Sequence, residues 1–175
     1  MWEVLDSVER RSYVEVITEY APALLRLAVM LTGDRNNAED LLQSTLLNGL
    51  RHGDRIAAMA APAAYLRKVM VNEHLATGRR MSRRPRTIQL SDSWEPAQPD
   101  STGIVEQRDE AWGWLATLGA EQRAVLVLRF YEDLPDREIA ELLGCAEATV
   151  RSHAFRGLTA LRARLTGSTI GMDER

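Results

Sequence analysis

Residues 134–162, LPDREIAELLGCAEATVRSHAFRGLTALR, constrain the fold most strongly. Ile139, Ala140 and Leu143 recur at helical steps and stop at Gly144, a residue suited to a left-handed C-cap. Ala140 is small where two helices must approach closely. After the turn Gly144-Cys145-Ala146, a longer run from about Glu147 to Leu165 puts Val150, Ala154, Leu158, Leu161 and Leu165 on one stripe. A short helix, a glycine-bearing turn and a longer helix are the parts of a helix-turn-helix. Its second helix packs by its inner face and offers its outer face to a DNA groove. Thr149, Arg151, Ser152, Phe155 and Arg156 fall on or beside that outer face. Arginines grip phosphates or guanine edges, and hydroxyls bond phosphate oxygens. An ordinary helical hairpin with solvated arginines is the plainer alternative, but spacing, turn and outward chemistry agree on the motif.

Capping is unusual here. Pro135 stands where a capping side chain would help the first helix, with Asp136 expected to cap one residue later, and Ala146 precedes Glu147. An uncapped N-terminus costs about 0.5–2 kcal/mol, so modest stability is expected. Cys145 reads as a buried structural thiol, because no basic cluster adjoins it to lower its pKa.

Working outward, residues 105–118 (Val105, Ala111, Trp112, Leu115, Leu118) and 120–131 also read as helices. Residues 85–104 hold three prolines, several Ser, Asp and Thr, and no periodicity, and so read as a flexible linker carrying Trp94. Upstream, residues 12–31 place Val14, Ile17, Leu24, Leu27, Ala28 and Leu31 near one face, although Pro22 is expected to break or bend the helix. Thr32-Gly33-Asp34 reads as a stop and turn. Ala38, Leu41, Leu42, Thr45, Leu46 and Leu50 mark an amphipathic helix over about Asn37 to Leu50, and Pro62 opens another. The expectation is an all-α chain of two small helical bundles, 1–84 and 105–175, joined by the linker 85–104.

Hydrophobic residues at 45% and charged residues at 27% are ordinary for a globular chain. No apolar run approaches the ~18 residues of a membrane span, and the N-terminus lacks an export pattern, so a cytoplasmic protein is expected without membrane insertion. A net charge of −3 hides strong segregation. Residues 61–90 carry seven basic side chains (Arg67, Lys68, Arg79, Arg80, Arg83, Arg84, Arg86) against Glu73 alone, whereas 91–110 carry six acids against Arg108. Such a chain suits DNA along limited surfaces and another protein elsewhere. His52, His74 and His153 are scattered, Cys145 is alone, and no phosphate loop or nucleophile elbow occurs. Enzyme activity, cofactor and metal are therefore not expected.

EIAELLGCAEATVRSHAFRGLTALR closely resembles the −35-reading helix-turn-helix of extracytoplasmic-function sigma factors, in the sigma-70 family, and the chain resembles their actinobacterial SigE-like subgroup. GDRNNAEDLLQSTLLNGL resembles the sigma region 2 helix that docks on the polymerase clamp. AAYLRKVMVNEHLATGRRMSRRP resembles the adjoining segment that opens and reads the −10 element. The resemblances occur in the right order around the linker and span about residues 12–165. They imply that Glu39, Asp40 and Gln43 bind the β′ clamp helices of core RNA polymerase. Arg67, Lys68, Asn72, Arg79 and Arg80 would engage the −10 region, and Thr149, Arg151, Ser152, Phe155 and Arg156 the −35 element. An anti-sigma partner is implied too. The basic segment after Asn72 lacks aromatic residues, the nearest being Tyr65, so stacking on melted bases is expected to be weaker there. Two other readings stand beside this one: a polymerase-independent helix-turn-helix regulator, and a polymerase-interaction module that does not start transcription.

Overall fold

Ser12 begins the first helix with a reciprocal cap. Its hydroxyl accepts from the Glu15 amide at 3.2 Å, while the Glu15 carboxylate accepts from the Ser12 amide at 2.6 Å. The computed structural model describes residues 11–83 and 113–170, with side chains over 11–80 and 113–164. The linker 85–104 with Trp94, together with Val105, Ala111, Trp112 and the Leu165 side chain, lies outside those limits. Among the described residues every regular element is a helix: α1 (Tyr13–Thr32), α2 (Arg35–Leu50), α3 (Gly53–Ala57), α4 (Pro62–Arg83), α5 (Ala120–Phe130), α6 (Asp136–Leu143) and α7 (Glu147–Ile170). A further helical turn covers 113–116. The chain divides into two compact units, the first running to His74 and the second beginning at Leu75. The all-α expectation holds.

In the first unit α1 is continuous through Pro22, contrary to the expected break. Pro22 is exposed, so the carbonyl one turn earlier, which loses its helical donor, faces water rather than core. The buried face also differs from the expected one. Val14 is 69% exposed, whereas Tyr13, Val16, Leu24, Leu27, Ala28 and Leu31 form the core side. Tyr13 wins the inward position because its ring covers apolar area while its hydroxyl donates to the Leu46 carbonyl at 2.9 Å. The turn is as read: Gly33 adopts φ 73°, and the Asp34 carboxylate caps α2 by accepting from the Asn37 amide at 2.8 Å. Gly49 and Gly53 let α2 and α3 close on Tyr13, since a Cβ at Gly49 would stand 2.1 Å from its hydroxyl and one at Gly53 3.0 Å from its Cβ. Pro62 is the first residue of α4, where its missing N–H costs nothing.

In the second unit α5 buries Ala124, Val125, Leu126, Val127 and Leu128, against which α6 contributes Ile139 and Ala140 and α7 contributes Val150 and Ala154. Arg123 is buried to 8% exposure and donates to the carbonyls of Ala116 (2.6 Å) and Leu118 (3.2 Å), tying the turn at 113–116 to α5. Burial lowers its pKa from the usual guanidinium value. Asp136 does not cap α6. It is the first helical residue and instead pairs with Arg129, joining the end of α5 to the start of α6.

Candidate nucleic-acid interface

The turn before α7 forms as its residues require. Gly144 adopts φ 65°, its amide donates to the Ala140 carbonyl, and the Cys145 amide donates to the same carbonyl at 3.0 Å. Cys145 is half-buried rather than sealed in the core. At the start of α7 the amides of Thr149 (2.9 Å) and Val150 (3.2 Å) donate to the Ala146 carbonyl.

The inner stripe of α7 is Val150, Ala154 and Gly157, all buried, with Leu158 and Leu161 half-buried beside them. Gly157 escaped the sequence reading. A Cβ there would meet Leu126 Cδ1 at 2.9 Å, so the glycine sets how closely α7 approaches α5. The signal available for it was its place three residues after Ala154 on the packing stripe.

All five residues expected at the −35 element lie on the opposite side. Thr149, Arg151, Phe155 and Arg156 are exposed, Phe155 to 71%, and Ser152 is half-buried. They do not form one tight row. By helical geometry Arg151 lies on one flank of the outer face and Thr149 and Arg156 on the other, about 160° and 140° away, with Phe155 and Ser152 between. Two cations thus bracket an apolar ring and a hydroxyl across a helix width. Arg151 also donates to Glu147 across 3.3 Å, a pairing the sequence reading did not include.

On α2, Glu39, Asp40 and Gln43 are exposed. Leu47 (66%) and Leu50 (62%) are exposed as well, so Leu50, expected on the core face, points the other way and buried Gly49 takes its place. These five side chains fall within about 100° of arc and make one mixed polar and apolar face. The helix dipole does not account for the acids. α2 starts at Arg35, so Glu39 and Asp40 lie beyond its first turn, which contains no acid. Glu39 accepts from Arg35 at 3.0 Å.

On α4, Lys68 and Asn72 are exposed one turn apart, and Arg79 is exposed seven residues further along the same side. Buried Leu75 interrupts that side. Arg67 is half-buried on one flank and Arg80 exposed on the other. The five −10 candidates therefore share a helix but not a single face.

Both halves of the chain match known protein regions. The description "Sigma-70 region 2" matches residues 16–84, and "Sigma-70, region 4" matches residues 112–161. The chain is 36% identical over 155 residues to the RNA polymerase sigma-E factor of Streptomyces avermitilis, covering 87% of this chain and 84% of that protein. It is 35% identical over 150 residues to the ECF RNA polymerase sigma factor SigL of Mycobacterium tuberculosis, covering 84% and 85%. Among solved structures, the sigma factor RpoE in complex with the anti-sigma factor NepR from Bartonella quintana matches with a TM-score of 0.63 at 25% identity, over 88% of this chain and 96% of that one. CnrH in complex with the cytosolic domain of CnrY shares the fold, with a TM-score of 0.56 at 18% identity over 89% and 88%. Two region matches in sequence order, and relatives aligned over most of their length, place this chain among the extracytoplasmic-function sigma factors of the sigma-70 family.

Proposed function

We propose that this chain directs core RNA polymerase to promoters and starts transcription there, with α2 holding the polymerase, α4 engaging the −10 element and α7 reading the −35 element. The observation that carries the reading is the pairing in one chain of an exposed recognition helix, bearing Arg151, Phe155 and Arg156, with the exposed α2 face of Glu39, Asp40, Gln43, Leu47 and Leu50. The first presents cations and a ring to a groove. The second sets two exposed leucines beside polar side chains, an apolar centre with a polar rim, and the β′ clamp helices are its proposed occupant.

On α4 the exposed Lys68, Asn72 and Arg79 suit a strand backbone and an unpaired base edge. No Phe, Trp or Tyr lies between Asn72 and Arg80, so we assign melting here more to charge and hydrogen bonding than to stacking. An anti-sigma partner is part of the proposal. It is supported by one structural neighbour, RpoE captured with the anti-sigma factor NepR. Among the described residues no helix is long and apolar enough to cross a membrane.

The test is capture of the chain by purified core polymerase, alongside DNA binding by the chain alone. The proposal expects capture by core, at least tenfold weaker for Asp40→Lys or Leu47→Asp, and little sequence-specific DNA binding without core. Specific binding of the free chain to a palindromic site would instead support a polymerase-independent regulator.

A further inference from the structure

Glu147 opens α7, and its Oε2 accepts from Nη1 of Arg151 one turn later, at 3.3 Å. We propose that Glu147 is a positioning and specificity-determining residue of the −35 interface: it holds the Arg151 guanidinium toward one guanine and penalises other bases. The inference rests on α7 being the −35-reading helix.

Place is the first support. The N-terminal residues of a recognition helix come nearest to base edges, and Glu147 is the first residue of α7. Order is the second. A glutamate four residues before an arginine is the favourable arrangement of such a pair, and the positive end of the helix dipole favours a carboxylate there. By helical geometry Glu147 lies about 40° from Arg151, on the side toward Ala154 and Leu158, so it acts through the arginine and not on a base directly. The third support is what the pair does not do. Both side chains are about half exposed, at 59% for Arg151 and 47% for Glu147, and a pair so open contributes little to stability. A carboxylate beside phosphates also weakens general DNA affinity. The helix dipole favours the acid itself, but neither stability nor affinity accounts for its pairing with Arg151, whereas specificity does. A guanidinium has five N–H donors in a rigid fork, so a bond at Nη1 fixes its orientation and leaves donors for the O6 and N7 of guanine. A base without guanine's paired acceptors would leave the fixed guanidinium short of a hydrogen bond.

α6 supplies an internal control. Arg137 donates to Glu141 at 3.2 Å, in the reverse order, with side chains 80% and 67% exposed, on the helix that in such motifs crosses the backbone rather than entering the groove.

The experiment is transcription by the reconstituted holoenzyme from a promoter library randomised through the −35 element, with thermal melting of each variant. Glu147→Gln and Glu147→Ala are expected to lose about tenfold in preference at one base pair, the same pair whose preference disappears in Arg151→Ala. Their melting temperatures should stay close to that of the unaltered chain. Glu141→Gln should leave the preference profile unchanged, and Arg151→Ala/Glu147→Gln should lose no more than Arg151→Ala alone. An unchanged profile in both Glu147 variants, or a loss spread evenly over all −35 sequences, overturns the proposal. A profile already flat in the unaltered chain overturns the assignment of α7 to the −35 element, and this inference with it.

Discussion

The hydroxyl of Tyr13 donates to the Leu46 carbonyl, and a Cβ built on Gly49 would stand 2.1 Å from that same hydroxyl oxygen. Burial, and secondarily the neighbouring Tyr65, raises the Tyr13 pKa, consistent with a phenol held neutral against the core. Gly49→Ala is therefore expected to destabilise the first unit by about 1–3 kcal/mol, because a pinned ring must shift. Tyr13→Phe should cost about 0.5–1.5 kcal/mol for the lost hydrogen bond. The double variant should cost less than the two together, since removing the oxygen relieves the closest clash. Urea denaturation of the four proteins measures this, and simple additivity would contradict the described contact. Arg123 gives a parallel case in the second unit. Arg123→Met should cost roughly 1–3 kcal/mol by leaving the Ala116 and Leu118 carbonyls short of a donor, read as a lower thermal midpoint.

Among elements, α1 carries a cap whose strength depends on pH. Hydrogen bonds from the Ser12 backbone and side chain, and less strongly the Arg11 charge, lower the Glu15 pKa from 4.5. A carboxylate depressed in the folded state stabilises fully above its unfolded pKa and loses that contribution as pH falls through the folded value. Glu15→Gln should thus narrow its stability difference from the unaltered chain as pH drops below 4.5, measured by thermal melts across the acid range. Ser12→Ala should cost about 1 kcal/mol at neutral pH. Periodicity and turn residues made most helices legible in advance, together with the Gly33 and Gly144 caps and the outward side of α7. It failed where a local rule met tertiary context. Pro22 sits inside α1 because that turn faces water, Tyr13 displaces Val14 inward because its hydroxyl finds a carbonyl, and Asp136 pairs with Arg129 instead of capping. Leu50 misled for a related reason: apolar spacing cannot distinguish a leucine that packs from one left exposed on a face suited to a partner.

At the scale of the molecule, the two units carry different chemistry along one chain. The first presents the acidic and apolar α2 face, and the second an exposed α7 face bracketed by Arg151 and Arg156. The basic surplus of residues 61–90 supplies the charge that the overall −3 conceals. If each surface does its own part, loss of one should have a characteristic consequence. Arg151→Ala/Arg156→Ala should abolish discrimination between promoters with and without a −35 element while leaving capture by core polymerase intact, as measured by pull-down with the purified enzyme. The most direct measurement is run-off transcription by purified core polymerase, with and without this chain, from a library of genomic fragments. The account predicts discrete transcripts that require the chain and disappear when the −10 or −35 element of their promoter is scrambled. Transcription that is the same with and without the chain across the whole library would contradict it.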